Sequence, residues 1–153
     1  MTEWSDVTLG QVADIAWGDT ATTKASYVDN GYTAYSASGP DGLLPHADHD
    51  RTGVVISAIG AQCGKTWLAQ GQWSCNNNTM WFRSKGDHST EYLYYASSTK
   101  DFWPRRGAAQ PFISLGDARR ISIRVPDLSA QQAIATILGS LDDLIANNRR
   151  RIE

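Results

Sequence analysis

The chain has 153 residues, the size of a single domain, and that is long enough to bury a core without disulfides or a metal. Hydrophobic residues make up 41% and charged residues 20%, which excludes bulk disorder. A net charge of −2 carries no whole-chain signature of a nucleic-acid binder.

Thr8-Leu-Gly-Gln11 matches a helix capping box. It predicts a short helix with Leu9, Val12 and Ala13 inward, then a strand through Ile15-Ala-Trp17. Residues 29–50 hold Gly31, Gly39, Pro40, Gly42 and Pro45 among Ser, Asp and Asn, the composition of loops and short strands. Val54-Val-Ile-Ser-Ala-Ile59 is β-rich and bounded by glycines, as a buried strand is. Residues 65–69 and 72–75 flank Gln70-Gly71 and predict a hairpin; residues 79–83 predict another strand. Ser89-Thr-Glu91 starts a helix expected to run to about Asp101, before Pro104 and Gly107. Ile121, Ile123 and Val125 alternate with Ser122 and Arg124, giving a half-buried strand that ends at Pro126. The fold class is mixed α/β (α+β): short strands and a few helices over 1–126, then a long coiled-coil-type helix over 127–153.

That last helix is expected to start at about Ala130, with Ser129-x-x-Gln132 as a second capping box. Ile134, Leu138, Leu141, Ile145, Asn148 and Ile152 lie along it at spacings of 4, 3, 4, 3 and 4, a heptad seam with one polar residue. A second stripe, Ala130, Ile137 and Leu144, is expected to pack on the preceding domain. A buried Asn is costly in a core but sets register between paired helices, so the seam reads as a helix-pairing surface rather than a face folded back on the domain.

The longest apolar stretch, residues 54–61, is too short to span a bilayer. The first six residues lack the basic start and apolar run of a secretory signal, so a cytoplasmic location and no membrane partner are expected. In that compartment Cys63 and Cys75 are expected to be free, buried thiols. Gly60-Ala-Gln-Cys-Gly-Lys-Thr66 looks like a phosphate loop, but its glycines are four apart where that loop needs five. Residues 66–71 beyond it read as strand and turn, so no helix N-terminus holds phosphate; a sharp turn between strands is expected. His46-x-x-His49 could ligate a metal only with a third ligand from elsewhere, and is read as a polar loop with two exposed histidines. Asp142 and Asp143 are expected on the solvated side of the helix. With no catalytic signature, neither enzyme activity nor a cofactor or metal is expected.

The charge is unevenly placed. Residues 1–82 carry three basic and eight acidic side chains, whereas 83–124 carry eight basic and four acidic. The cations of the second segment are interleaved with Tyr92, Tyr94, Tyr95 and Trp103 and preceded by Trp81, a pattern that suits a phosphate-facing surface, whereas on charge alone a solvated face with a few ion pairs is the commoner outcome. Six tryptophans and six tyrosines also fit a rival reading, a carbohydrate- or protein-binding module, although most such rings serve cores.

Three motifs in order carry a family resemblance. Trp4-x-x-Val-Thr-Leu-Gly-Gln-Val-Ala13 opens the chain, and Gly53-Val-Val-Ile-x-x-x-Gly60-x-x-Cys-Gly64 is its central strand and turn. Ala109-Gln-Pro-x-Ile113-x-Leu115, Ile121-x-Ile-x-Val-Pro126 and Gln131-x-x-Ile-Ala-x-Ile-Leu138-x-x-Leu-Asp142-x-x-Ile145 form the exit and helix. The chain thus resembles the specificity subunit of type I restriction–modification systems. The resemblance implies a non-catalytic target recognition domain for double-stranded DNA on a helix that pairs antiparallel as a spacer, in a half-subunit or part of a longer one. It implies docking to a methyltransferase subunit, which would itself bind S-adenosylmethionine, and through it to a translocase–nuclease restriction subunit. The helix partner is a second copy or the second half of a longer chain. Arg83, Lys85, Lys100, Arg105 and Arg106 are the candidate phosphate and guanine contacts, with Ser36, Ser38 and Gln110 as polar candidates in loops.

Overall fold

The structure, a computed structural model, describes residues 3–99 and 101–153. The chain forms β1 (Ser5–Thr8), α1 (Leu9–Val12), β2 (Ala13–Trp17), a 3-10 turn (Lys24–Ser26), β3 (Tyr32–Ser36), β4 (Gly39–Leu44) and β5 (Gly53–Ser57). It continues through β6 (Thr66–Ala69), β7 (Trp73–Cys75), β8 (Thr79–Ser84), α2 (Thr90–Ser97), α3 (Leu115–Arg120), β9 (Ser122–Val125) and α4 (Leu128–Ile152). This is the mixed α/β architecture, ending in a long helix, that the sequence predicts. No helix among the described residues is long and apolar enough to cross a membrane.

Strands β2-β8-β5-β6 make an antiparallel four-stranded sheet. Strands β4-β3-β7 make a second sheet, in which β3 and β7 run parallel, and β1 pairs with β9. All five residues of β5 are buried, because layers cover both faces of its sheet. Val54 and Ile56 join Leu9, Val12, Met80, Phe82, Leu93 and Ile113 in the main core. Val55 faces the other way, into a smaller cluster with Tyr35, Ala69, Trp73 and Cys75. Both cysteines are free and buried.

Four local expectations are corrected. Residues 65–69 and 72–75 do not form a hairpin: β6 pairs with β5, whereas β7 pairs with β3 in the other sheet. Trp73 explains the divergence. Its fully buried ring lies against Gly53 and its indole N–H donates to the Arg51 carbonyl at 3.0 Å, which draws β7 across. Helix α2 ends at Ser97, not near Asp101. Ser97 and Ser98 hydroxyls bond back to the Leu93 and Tyr95 carbonyls, and the Trp103 indole caps the Ser97 carbonyl, so side chains compete with further turns.

Helix α4 starts at Leu128, with Asp127 as its cap accepting from the Ala130 N–H at 2.8 Å, so Ser129 lies inside the first turn. The stripe Ala130, Ile137, Leu144 does not pack on the body, since Ile137 and Leu144 are 61% and 55% exposed. Gln131 and Ala135 are buried instead, with Ile134 packed partly against the core. Helix α2 meets this side of α4, and the Tyr95 hydroxyl donates to Asp142 at 2.7 Å. Strand β1 and helix α3 went unpredicted, although Ser114, which accepts from the Asp117 N–H, carries a capping signal.

A Cβ added at Gly53 would lie 2.6 Å from the Trp73 ring. Gly53→Ala is therefore expected to destabilise the fold by about 1–3 kcal/mol, the usual cost of overpacking a dense core, read as a lower midpoint in chemical denaturation.

Candidate nucleic-acid interface

Strand β5 runs out at Ser57 into a turn that returns at Lys65. Gly60 and Gly64 take φ of +101° and +95°, left-handed conformations that a side chain disfavours. The Ser57 N–H donates to the Lys65 carbonyl and the Gly64 N–H to the Ser57 carbonyl, both at 2.9 Å. The segment is a strand–turn–strand, as its glycine spacing predicts. A second loop lies beside it. Arg106 and Phe112 exchange two backbone hydrogen bonds of 2.8 Å, the Gly60 N–H donates to the Pro111 carbonyl, and the Ile113 N–H donates to the Ala58 carbonyl. Arg105 reaches the Cys63 carbonyl at 3.4 Å. Lys65, Arg105, Arg106 and Gln110 thus share one edge of the molecule on two cross-braced loops.

Arg106 is also a clasp. Its guanidinium forks onto Asp117 at 2.6 and 2.9 Å, and Arg120 reaches the same carboxylate at 3.0 Å. Arg106, with the Ser114 hydroxyl and Arg120, holds the Asp117 carboxyl down at about 2.

The other candidates lie elsewhere. The β5–β8 register sets Ser57 opposite Thr79 and Val54 opposite Phe82. Arg83 and Lys85 come after Phe82, so the sheet separates them from the Lys65 loop by about 10 Å or more at roughly 3.4 Å per residue. Arg83 donates to the Thr52 and Arg51 carbonyls and lies 5.2 Å over the Trp81 ring, bracing the loop before β5. Lys85 lies 3.9 Å from Asp14. Ser36 is buried, with its hydroxyl donating to Asp41 and accepting from the Ser38 N–H, so it belongs to the interior of the β3–β4 hairpin. Ser38 is exposed on that hairpin, and Gln110 is exposed on the second loop. Lys100 lies outside the described residues. Arg124 pairs with Asp6, and Arg119 bonds the Ile15 carbonyl. The basic run of the sequence is therefore dispersed, and much of it is neutralised locally.

Lys65, which is not among the candidates that the sequence suggests, is exposed at the loop pair. Its signal is the lysine of the discounted phosphate-loop pattern. Behind the loops a cavity of about 570 Å³ opens toward α2 and α4, lined by Cys63, Lys65, Tyr94, Tyr95, Arg105 and Asp142 among others. Burial pushes the Cys63 thiol up against the opposing effect of Arg105, and burial with the Asp142 contact raises Tyr95. Asp142 is thus engaged by Tyr95 rather than simply solvated.

The histidines are not alike. His46 is exposed, whereas His49 is half-buried and stacks on Trp73 at 4.1 Å. Burial, then the nearby Arg83 charge, lowers its pKa. No cluster of three His, Cys, Asp or Glu side chains among the described residues could hold a metal ion. Trp73 and Trp103 are core residues, Trp67 and Trp81 pack against the smaller cluster, and the exposed Trp4 and Trp17 sit apart on the chain.

The seam on α4 is divided. Ile134 and Leu138 are half-buried near the body. Leu141, Ile145 and Ile152 are 50%, 49% and 87% exposed, and Asn148 is exposed among them. With Ile137 and Leu144 they form an exposed apolar strip on a segment whose other side meets α2 through Asp142.

A family model described as the type I restriction modification DNA specificity domain matches residues 1–153. The fold is similar to a type I restriction–modification S subunit from M. genitalium, with a TM-score of 0.80 and 18% identity over 95% of this chain and 41% of that one. It is also similar to a structure described by complex assembly and conformational transition of the type I R-M system, with a TM-score of 0.73 and 20% identity over 97% and 40%. A third is the HsdS subunit from Thermoanaerobacter tengcongensis, with a TM-score of 0.66 and 20% identity over 97% and 39%. The chain spans about two fifths of each of these structures. No curated protein is similar enough in sequence to match it.

A carboxyl lowered by folding stabilises the fold above its ordinary pKa, and that contribution is lost as pH falls through the folded value. The Asp117 clasp is therefore expected to be fully formed at neutral pH and to open only near pH 2. The Asp117 carboxyl resonance is expected to titrate there, and in Arg106→Ala to move toward the ordinary carboxylate range.

Proposed function

The chain belongs to the type I restriction modification DNA specificity domain family, and from that membership we propose that it is a sequence-specific, non-catalytic DNA-recognition unit. The single observation that carries this reading is the family match over the whole chain. In this reading the unit acts in the cytoplasm. It brings a methyltransferase subunit, which holds S-adenosylmethionine, and through it a translocase–nuclease subunit, to a target in double-stranded DNA.

The loop pair that carries Lys65, Arg105 and Gln110 is the proposed DNA-facing edge. The Asp117 carboxylate beside it is shared by Arg106 and Arg120. The Arg83 and Lys85 end is different, since Asp14, Asp48 and Asp50 accompany those cations. Phosphate contacts position a duplex and base-edge contacts specify it. Arg105 and Lys65 suit the first task, whereas Arg106 holds its loop in shape.

Helix α4 is the proposed spacer. Leu141, Ile145, Asn148 and Ile152, with Ile137 and Leu144, are covered by a second helix, from another copy or from a longer chain. Each Leu or Ile gains about 1.5–3 kcal/mol only on full burial, and an isolated exposed helix is marginal in water. Pairing of two copies antiparallel about Ala146 sets Asp142 and Asp143 opposite Arg150 and Arg149, so the charges flanking the seam are self-complementary.

Two outcomes are expected. Lys65→Ala with Arg105→Ala weakens duplex binding at all sequences and reduces the slope of log affinity against log salt by about 0.9 per lost contact, measured by fluorescence anisotropy. Unchanged affinity and slope in the folded variant would move the interface elsewhere. The unaltered chain is expected to gain mass with concentration in sedimentation equilibrium at about micromolar to sub-millimolar protein, and Leu141→Asp to abolish that gain or to abolish assembly with a longer partner.

A further inference from the structure

The cavity of about 570 Å³ between the glycine turn and α2 has a volume within the range of small-molecule sites, roughly 300–1,000 Å³. Its two sides differ in chemistry. On one side the turn contributes Lys65, and Arg105 joins it by reaching the Cys63 carbonyl at 3.4 Å. On the other side α2 contributes Tyr94 and Tyr95, and the Tyr95 hydroxyl donates to Asp142 at 2.7 Å. The turn is preformed by its own backbone. The Cys63 N–H donates to the Gly60 carbonyl and the Lys65 N–H to the Gln62 carbonyl, both at 3.0 Å. A ligand entering the cavity therefore meets a wall that needs no ordering on binding.

The turn side carries two cations, and the helix side carries one carboxylate. An ammonium and a guanidinium bind a phosphate group through charge-assisted hydrogen bonds, so side chains supply here what the backbone of a phosphate loop supplies elsewhere. The Tyr94 ring is half-buried and stands edge-to-face with Tyr95 at 5.0 Å. It offers an aromatic surface of the kind on which a nucleobase stacks. An ionised carboxylate has about four acceptor sites, and the Tyr95 hydroxyl takes one of them, at Oδ2 of Asp142. An amino group suits the remainder. The complement of this cavity is a molecule with a phosphate at one end, a flat ring in the middle and an exocyclic amino group at the other end.

We propose that this cavity binds one unpaired nucleotide with an amino-bearing base, its phosphate on Lys65 and Arg105, its ring against Tyr94 and its amino group on Asp142. A free nucleoside monophosphate and a nucleotide left unpaired in a DNA strand share this chemistry. A base inside a duplex does not, because its amino group is paired and its faces are stacked. The site goes beyond the DNA-recognition reading and stands without it. Lys65 and Arg105 also lie on the proposed DNA-facing edge, so a free nucleotide in the cavity competes with a duplex for them.

The test has two arms. In the first, adenosine 5′-monophosphate is titrated into the full chain and followed by amide NMR. Saturable shifts at residues 61–66 and at Tyr94 are expected by about millimolar ligand. Lys65→Ala, at an exposed position that the fold does not need, is expected to weaken binding about tenfold, the scale of one charge-assisted contact. Inosine 5′-monophosphate carries a carbonyl oxygen in place of the adenine amino group and is expected to bind about tenfold more weakly. Asp142→Asn is expected to narrow that difference, since an amide can donate to the carbonyl. Equal binding of the two nucleotides, an unchanged affinity in Lys65→Ala, or equal shifts from inorganic phosphate alone would each overturn the proposal.

The second arm separates the two sources. Duplexes with and without one unpaired adenosine are compared by fluorescence anisotropy. Tighter binding of the duplex with the unpaired adenosine, lost in Asp142→Asn, assigns the cavity to a strand nucleotide. Equal affinity for the two duplexes, with adenosine monophosphate bound in the first arm, assigns it to a free nucleotide. Neither binding of adenosine monophosphate nor a gain from the unpaired adenosine would overturn the proposal and leave the proposed function standing. Binding of adenosine monophosphate by a chain that recognises no duplex, alone or in its assembled enzyme, would instead overturn the proposed function and leave this site in place.

Discussion

Both faces of the four-stranded sheet are covered, and that constraint decides where this protein can meet a partner. A strand whose five residues are all buried cannot offer its side chains to a ligand, so function moves to the loops at its ends and to whatever projects from the body. At one end Trp73 and Arg83 brace the loop before β5. At the other, the glycine turn and the 106–112 loop hold each other by backbone bonds. Rigid loops of this kind present charge without a large ordering cost on binding.

Charge is meaningful only after ion pairs are taken into account. The excess of cations over residues 83–124 suggests a single basic face, yet the fold distributes those side chains over several elements. Asp6, Asp14 and Asp117 meet four of them. Near the edge at Lys65 and Arg105, the carboxylate of Asp117 is shared by Arg106 and Arg120.

Much of the fold is legible in the sequence where local chemistry and tertiary packing agree. Gln11 accepts from the Thr8 N–H as its spacing implies, Ile123 and Val125 alternate inward, and the glycine turn after β5 is a turn. Legibility fails where a distant residue decides. Gly71 between two β-rich runs looks like a hairpin, but the destination of Trp73 across the molecule separates them. The stripe of α4 that docks is the one bearing Gln131, a polar residue that periodicity assigns to solvent. Ser36 reads as a loop hydroxyl and is instead claimed by Asp41. Such outcomes depend on long-range partners that no window of sequence contains. The motifs along the chain identify the family even so, because their order records the whole fold.

The central claim is that the loop pair at the Ser57 end of the sheet faces DNA. Deuterium exchange tests it most directly, on the chain in its assembled enzyme, with and without a duplex selected from a random pool. Added protection confined to residues 58–65 and 104–113, with none around Arg51, Arg83 and Lys85, is the predicted result. Protection around Arg51, Arg83 and Lys85, with the loop pair unchanged, would contradict the account.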